Sequence, residues 1–480
     1  MTLSVLWAVA PAVPALVRGG LPGHGWTDLY PSVWGLDVFC AALPGWATHT
    51  PRFGAPEGID FAYSSPLHGL AGWPVWAAWG PVAAYVVTLV AARAATVAVA
   101  YGALRALDRP HVGSVAGALI YGASPFFHGY AVEGIVEGTD GWTLPLWVWA
   151  VAARRPAFAG VAFALCVASS WYLGMVVCLG ALGWGFRDRL AWGSAVGGLA
   201  LASPLLFAFV GAFGGNSPLD PAVRVAMGAP LAVREPGVLA GVQPFALTTW
   251  VGVSLPLLGL LAARRAPVLA AGALLCWVLS TGRGPWWDLP IFELVRFPYR
   301  WHAGTLWCVA AVVSTLELRW RAALFVPFVE GLLLSPIEPV LPTASVDVPA
   351  LYLQVEPAPL LELPGPVALP PGTPNPSRPR ARYLLLAQLQ HGAPSPWTLD
   401  FNGIAHSRDA AWLATFRAWD PVLDGAGPPP DLAAAAADGV HQAMVHRDEY
   451  RKVAPAFEAA LAEAGARLVA EEGELALYRW

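Results

Sequence analysis

The stretch RRPAFAGVAFALCVASSWYLGMVVCLGALGWGFRDR, residues 154 to 189, decides how this chain is organised. Arg154 and Arg155 open it, and Arg187 and Arg189 close it. Between them lie two apolar runs, Ala157 to Ser170 and Trp171 to Phe186, joined at Ser169-Ser170-Trp171. Read as one helix, they would carry the two arginine pairs to opposite faces of a membrane. Read as a hairpin, they return both pairs to one face. Short cytoplasmic loops of membrane proteins are enriched in Lys and Arg, so the hairpin is preferred. Each arm is short, about 21 to 24 Å of helix against about 30 Å of hydrocarbon. Such arms need protein neighbours or a water-filled cavity around their turn.

The same marking recurs outward from this stretch. Arg105 and Arg109, Arg264 and Arg265, and Arg319 and Arg321 also interrupt apolar helical runs. With all five turns cytoplasmic, the sequence predicts an all-α polytopic membrane bundle of about 11 spans over residues 1–335. Its external loops cover 18–74, 127–142, 213–246 and 281–300. In the first loop, Leu29 to Leu43 reads as an interfacial amphipathic helix, and Trp73, Trp76 and Trp79 mark a membrane boundary. Residues 336–379 read as a Pro-rich linker with one short strand, Leu360 to Leu363. Residues 380–480 read as a small extracytoplasmic α/β domain, with a helix at Arg380 to Gln390 and strands near Val440 to His446, Ala466 to Ala470 and Glu474 to Trp480.

Composition agrees. The chain is 56% hydrophobic and 12% charged, with 24 Trp; a soluble domain carries about 25% charged residues. Its net charge of −4 argues against nucleic acid as a partner. The five Cys form no CxxC pair, which argues against a zinc site or a disulfide framework. There is no Walker A motif, no HExxH and no G-x-S-x-G. Chemistry is therefore sought among the acids and arginines of the external loops.

Several segments resemble a known group. Thr27-Asp28-Leu29-Tyr30 looks like the first-loop acidic motif of GT-C glycosyltransferases. Pro56-Glu57-Gly58-Ile59-Asp60, Gly80-Pro81-Val82-Ala83-Ala84-Tyr85, Tyr121-Gly122-Ala123-Ser124-Pro125-Phe126 and Phe292-Glu293-Leu294-Val295-Arg296-Phe297-Pro298-Tyr299-Arg300 are similar to a group of bacterial multi-pass proteins of that superfamily. So are Ser169-Ser170-Trp171-Tyr172 and, in the tail, Gln390-His391-Gly392. The resemblance implies a bacterial inner-membrane enzyme that moves a sugar from a polyprenyl-phosphate donor to an extracytoplasmic acceptor. It implies Asp28 as the base or a metal holder. By local pattern, Asp28 could instead cap the helix that follows it.

Arg296 and Arg300 are the candidate phosphate ligands, since paired guanidinium donors suit a phosphodiester. Internal pairing with Asp288 or Glu293, or with lipid headgroups, is the alternative. Glu133 and Glu137, at i, i+4, would share one face of a short helix. With Asp140, His128 and Asp28 they would rim the site or hold a divalent ion, or form a plain solvated acidic loop. The group's Gly-His pair in this loop is reversed here, as His128-Gly129. Asp37 reads as a solvated or structural acid. Arg93 falls midway along a span, and Glu330, the one acid within another span, is the nearest candidate partner. A transporter or flippase of a lipid-linked precursor and a non-catalytic scaffold of the same fold are the rival functional classes.

Overall fold

A computed structural model describes residues 2–25, 28–45, 49–61, 63–186, 188–213, 252–288, 297–317, 321–335, 337–364, 378–397, 411–419, 427–450 and 453–480. Arg187, Arg296 and Arg319 lie outside them. The chain forms two compact units, Met1–His24 with Tyr63–Ala344, and Gly25–Ala62 with Ser345–Trp480.

The first unit is helical. Its longest helix, Pro66–Ala106, is broken at Gly80, whose φ of 81° and ψ of 179° suit only glycine, immediately before Pro81. The three tryptophans expected at a membrane boundary therefore sit in the amino-terminal arm of this helix. Next come His111–Gly122, Pro125–Val132, Val136–Thr139 and Thr143–Ala152. The stretch that opened the sequence reading folds as two helices, Pro156–Ser169 and Trp171–Gly185, split by Ser170 in extended conformation. Arg189–Phe213, Ser254–Ala262, Pro267–Ser280, His302–Val313 and Val326–Leu334 complete the bundle.

Close contacts bring the charged turns to one end of this bundle. Arg154 and Asp188 approach to 4.0 Å, so the turns before and after the helix pair 156–185 are neighbours. A Cβ on Gly102 would meet the Trp149 ring at 2.8 Å, joining the Arg105 end to the Arg154 end. A Cβ on Gly113 would run into the carbonyl of Ser314, and Arg265 donates to the carbonyl of Thr315 at 2.8 Å. The opposite end is closed by Tyr121 donating to the Gly141 carbonyl at 2.7 Å and by Thr143 meeting Ser169 at 3.1 Å.

Among the described residues, two helices are long and apolar enough to cross a membrane, Pro66–Ala106 and Arg189–Phe207. Large apolar side chains stand exposed on several helices, among them Leu6, Phe207, Leu260, Leu261 and Leu274. Exposed apolar surface of this extent fits contact with lipid.

The second unit is an α/β layer. Leu360–Leu363 pairs parallel with Gln442–His446, which pairs antiparallel with Leu475–Arg479, and that strand pairs antiparallel with Arg467–Glu472. Helices Arg378–His391, Ala411–Arg417, Leu432–Ala437 and Ala454–Glu463 accompany the sheet. Residues 25–62 belong to this unit, not to a free loop. Their helix, Leu29–Ala42, is buried at every position from Leu29 to Cys40, so it is not an amphipathic surface helix. The pattern LYPSVWGLDVFC is apolar nearly all round, which suits a fully enclosed helix. Trp34 on it donates to Gln388 at 2.6 Å.

Candidate active site

Among the described residues, Arg300 is the best-enclosed cation at the end opposite the arginine turns. Pro298 opens a short 3-10 turn, Pro298–Trp301, that carries it just before helix His302–Val313. Its guanidinium lies 4.6 Å from the Tyr172 ring, 4.8 Å from Phe297 and 6.0 Å from Tyr130, within cation–π range. The Tyr172 hydroxyl also accepts from the Phe297 N–H at 3.2 Å, fixing the aromatic wall to the turn. Arg300 donates through Nη2 to Glu137 at 2.9 Å, while its buried Nε has no partner among the described residues. Glu137 also accepts from the Ser64 hydroxyl at 3.3 Å. The internal partner of Arg300 is thus Glu137, an acid that the sequence reading had placed at the rim.

A second cluster sits next to the first in sequence. Asp140 accepts from the Ser65 hydroxyl at 3.2 Å and contacts His68 Nδ1 at 3.3 Å through one oxygen, and takes the Trp142 indole N–H at 3.1 Å on the other. His68 Nε2 is buried with no partner among the described residues. An imidazole held by a carboxylate at Nδ1 keeps Nε2 as its acceptor when neutral. The sequence signal for His68 is Ser64-Ser65-Pro66, a helix start two residues before it.

The expected shared face of Glu133 and Glu137 does not form. Glu133 ends helix Pro125–Val132, Gly134 turns the chain at φ 68°, and Glu137 begins the next helix. The break separates two acids that an unbroken helix would align. Among the described residues no group of three or more His, Cys, Asp or Glu could hold a metal ion. The carboxylates of Glu137 and Asp140 accept from Arg300 and Ser64, and from Ser65 and Trp142, respectively.

Arg93 is buried and faces protein. It meets His128 Nδ1 at 3.2 Å, reaches the Trp7 carbonyl at a long 3.5 Å and lies 5.5 Å from the Trp7 ring. Arginine only donates, so His128 Nδ1 accepts, and its Nε2–H donates to the Glu338 carbonyl at 2.8 Å. His128 is therefore a positioned acceptor for Arg93, not an external ligand. Glu330 is not the partner of Arg93. It accepts from the N–H groups of Val253 at 2.7 Å and Ser254 at 2.9 Å, and from the Ser254 hydroxyl. A carboxylate there satisfies orphan donors at the start of helix Ser254–Ala262 and complements its dipole.

Asp28 belongs to the second unit. It occupies the N-cap position of helix Leu29–Ala42, but its side chain makes no capping hydrogen bond, so the capping role is not realised. Asp37 pairs with Arg52 at 2.7 Å, as a structural acid should.

No protein-family model matches the sequence, and no curated protein matches it. Solved structures do resemble it in fold. The cryo-EM structure of the arabinofuranosyltransferase AftD from Mycobacteria aligns over 100% of this chain at 15% identity with a TM-score of 0.58. Its R1389S mutant aligns over 98% of this chain at 19% identity with a TM-score of 0.52. The Archaeoglobus fulgidus oligosaccharyltransferase aligns over 92% of this chain at 10% identity with a TM-score of 0.53. The chain spans 39% of the arabinofuranosyltransferase and 68% of the oligosaccharyltransferase. The likeness is one of fold: this chain shares the fold of the arabinofuranosyltransferase and of the oligosaccharyltransferase.

Proposed function

We propose that the chain is a membrane glycosyltransferase that takes a sugar from a polyprenyl-phosphate donor and passes it to an extracytoplasmic acceptor. The observation that carries this reading is the enclosure of Arg300 by three aromatic rings at the end opposite the arginine turns. With those turns cytoplasmic, that end faces outward, and the inner membrane of a bacterium is the expected location.

In this reading Arg300, aided by Arg296, neutralises the phosphate as the bond from the anomeric carbon to the phosphate oxygen breaks. Asp28 takes the proton of the acceptor hydroxyl as that oxygen bonds to the anomeric carbon. The products are the glycosylated acceptor and polyprenyl phosphate. Glu137 holds the guanidinium in place before donor arrives.

The test is transfer by the full chain in lipid nanodiscs, given a panel of radiolabelled polyprenyl-phosphate sugars. Release of polyprenyl phosphate coupled to acceptor labelling supports the reading. Asp28→Asn should slow it by about 10²- to 10⁴-fold. A folded wild-type chain that transfers none of the panel sinks it.

A second reading, a non-catalytic scaffold of the same fold, is favoured by the pairing of Arg300 with Glu137, which answers its charge internally. It predicts no turnover and no change in donor binding on Arg300→Ala. A flippase would instead carry the donor across a vesicle without breaking it.

A further inference from the structure

The end of the first unit away from Arg300 gathers arginines from several turns. The Ser114 hydroxyl donates to the Arg109 carbonyl at 3.3 Å, and the Arg105 guanidinium donates to the same oxygen. These bonds fix the turn ahead of helix His111–Gly122. Gly113 on that helix abuts the Ser314 carbonyl, and Arg265 donates to the next carbonyl, that of Thr315, at 2.8 Å. The turn Arg321–Phe325 packs on the same helix. A Cβ on Gly331 would touch Pro125, past the far end of that helix, so Arg321 falls toward the Arg109 end. Arg109, Arg265 and Arg321 thus reach one patch from three different turns.

The charge of this patch is not answered from within. Asp108 and Glu317 are the acids beside it, and among the described residues no ion pair ties either to an arginine. Arg109 is half-buried, and its Nε has no hydrogen-bond partner among the described residues. Guanidinium groups with free donors suit phosphate oxygens.

The surface next to the charge selects the ligand. Leu260 and Leu261, 73% and 69% exposed, stand one helical turn before Arg264 and Arg265. Val326, also exposed, opens the helix that follows Arg321. The two helices, Ser254–Ala262 and Val326–Leu334, pack together. A free phosphate would gain nothing from exposed leucine and valine. A phospholipid answers both parts, phosphate to arginine and acyl chain to apolar side chain. Basic pockets between membrane helices hold anionic headgroups in this way.

We propose that this patch binds one anionic phospholipid, its phosphate held by Arg109, Arg265 and Arg321 and its acyl chains lying on Leu260, Leu261 and Val326. The site is at the other end of the bundle from Arg300 and takes no part in sugar transfer, so it stands or falls apart from that reading.

Native mass spectrometry of the full chain released from detergent tests this, with phosphatidylglycerol and phosphatidylcholine of identical acyl chains added in turn. Phosphatidylglycerol should bind one to one, and more tightly than phosphatidylcholine. Arg109→Gln and Arg321→Gln should each weaken it about fivefold. Arg154→Gln, at the same end but beside Asp188, should leave it unchanged. If Arg109→Gln fails to fold, the exposed Arg321 carries the test. Glycerol phosphate at the same concentration should not displace the lipid. Equal affinity for the two lipids, equal losses in Arg154→Gln and Arg321→Gln, or displacement by glycerol phosphate overturns the proposal.

Discussion

The guanidinium of Arg300 and the carboxylate of Glu137 meet at 2.9 Å although 163 residues separate them. Both side chains are largely enclosed, with 9% and 16% of their surface exposed. Removing one partner of such a pair leaves a charge that water reaches poorly. Glu137→Ala should destabilise the first unit by about 3 kcal/mol, near the lower end for a broken buried pair. Arg300→Lys should fail to restore the wild type, since an ammonium is not a planar fork that can lie on Tyr172 and Phe297 while meeting Glu137. Thermal unfolding of single and double variants measures both. Additive losses would show that the pair does not interact.

The approach of Arg154 to Asp188 makes a prediction about sidedness. Single cysteines at Arg105, Arg154 and Arg264 should react with a membrane-impermeant thiol reagent only after the cytoplasmic face is opened. Labelling of two of them from outside would overturn the assigned topology. The contact itself contributes little, because Arg154 is 82% exposed. Arg154→Ala should change stability by less than about 1 kcal/mol.

Gly80 and Gly183 form a matched pair for backbone strain. A Cβ added at either meets nothing within 4 Å. At Gly80, with φ at 81°, an L residue is strained by about 1–3 kcal/mol, so Gly80→Ala should lower the unfolding temperature. At Gly183, inside helix Trp171–Gly185, alanine should raise stability by about 0.5–1 kcal/mol. Equal effects at the two sites would contradict the break before Pro81.

His391 gives a pH dependence with a definite sign. Its folded-state pKa lies below the unfolded 6.5 because burial disfavours the imidazolium. Below pH 6.5 the unfolded chain therefore binds more protons than the folded one, and stability falls as pH falls. The loss should level off below the folded pKa. In His391→Phe the decline between pH 7 and 5 should be shallower; an unchanged slope would remove His391 as its source.

Local pattern carried much of this architecture. Leu360–Leu363 has the limits expected of it, and the Ser169-Ser170 joint marks the break between two helices. What escaped was set by tertiary packing. Leu29–Ala42 has the right length, but its apolar surround meant enclosure within the second unit. Glu133 and Glu137 have helical spacing, but Gly134 breaks the helix between them. Arg93 and Glu330 look like partners because each is isolated in sequence; in space one finds an imidazole and the other a helix terminus. Of the aromatic rings around Arg300, Phe297 is local, but Tyr130 and Tyr172 come from two distant segments that no local pattern links to it.

The split origin of the second unit sets an order of events during synthesis. Trp34 donates to Gln388, 354 residues later. At about 5–20 residues per second, roughly 18 to 71 s pass before the partner leaves the ribosome. Throughout that interval Leu29, Val33, Trp34, Leu36 and Phe39, all buried in the finished fold, await the chain that covers them. A ribosome that stalls before residue 388 would therefore release an intermediate with a sticky apolar helix, one suited to capture by a chaperone or a quality-control protease.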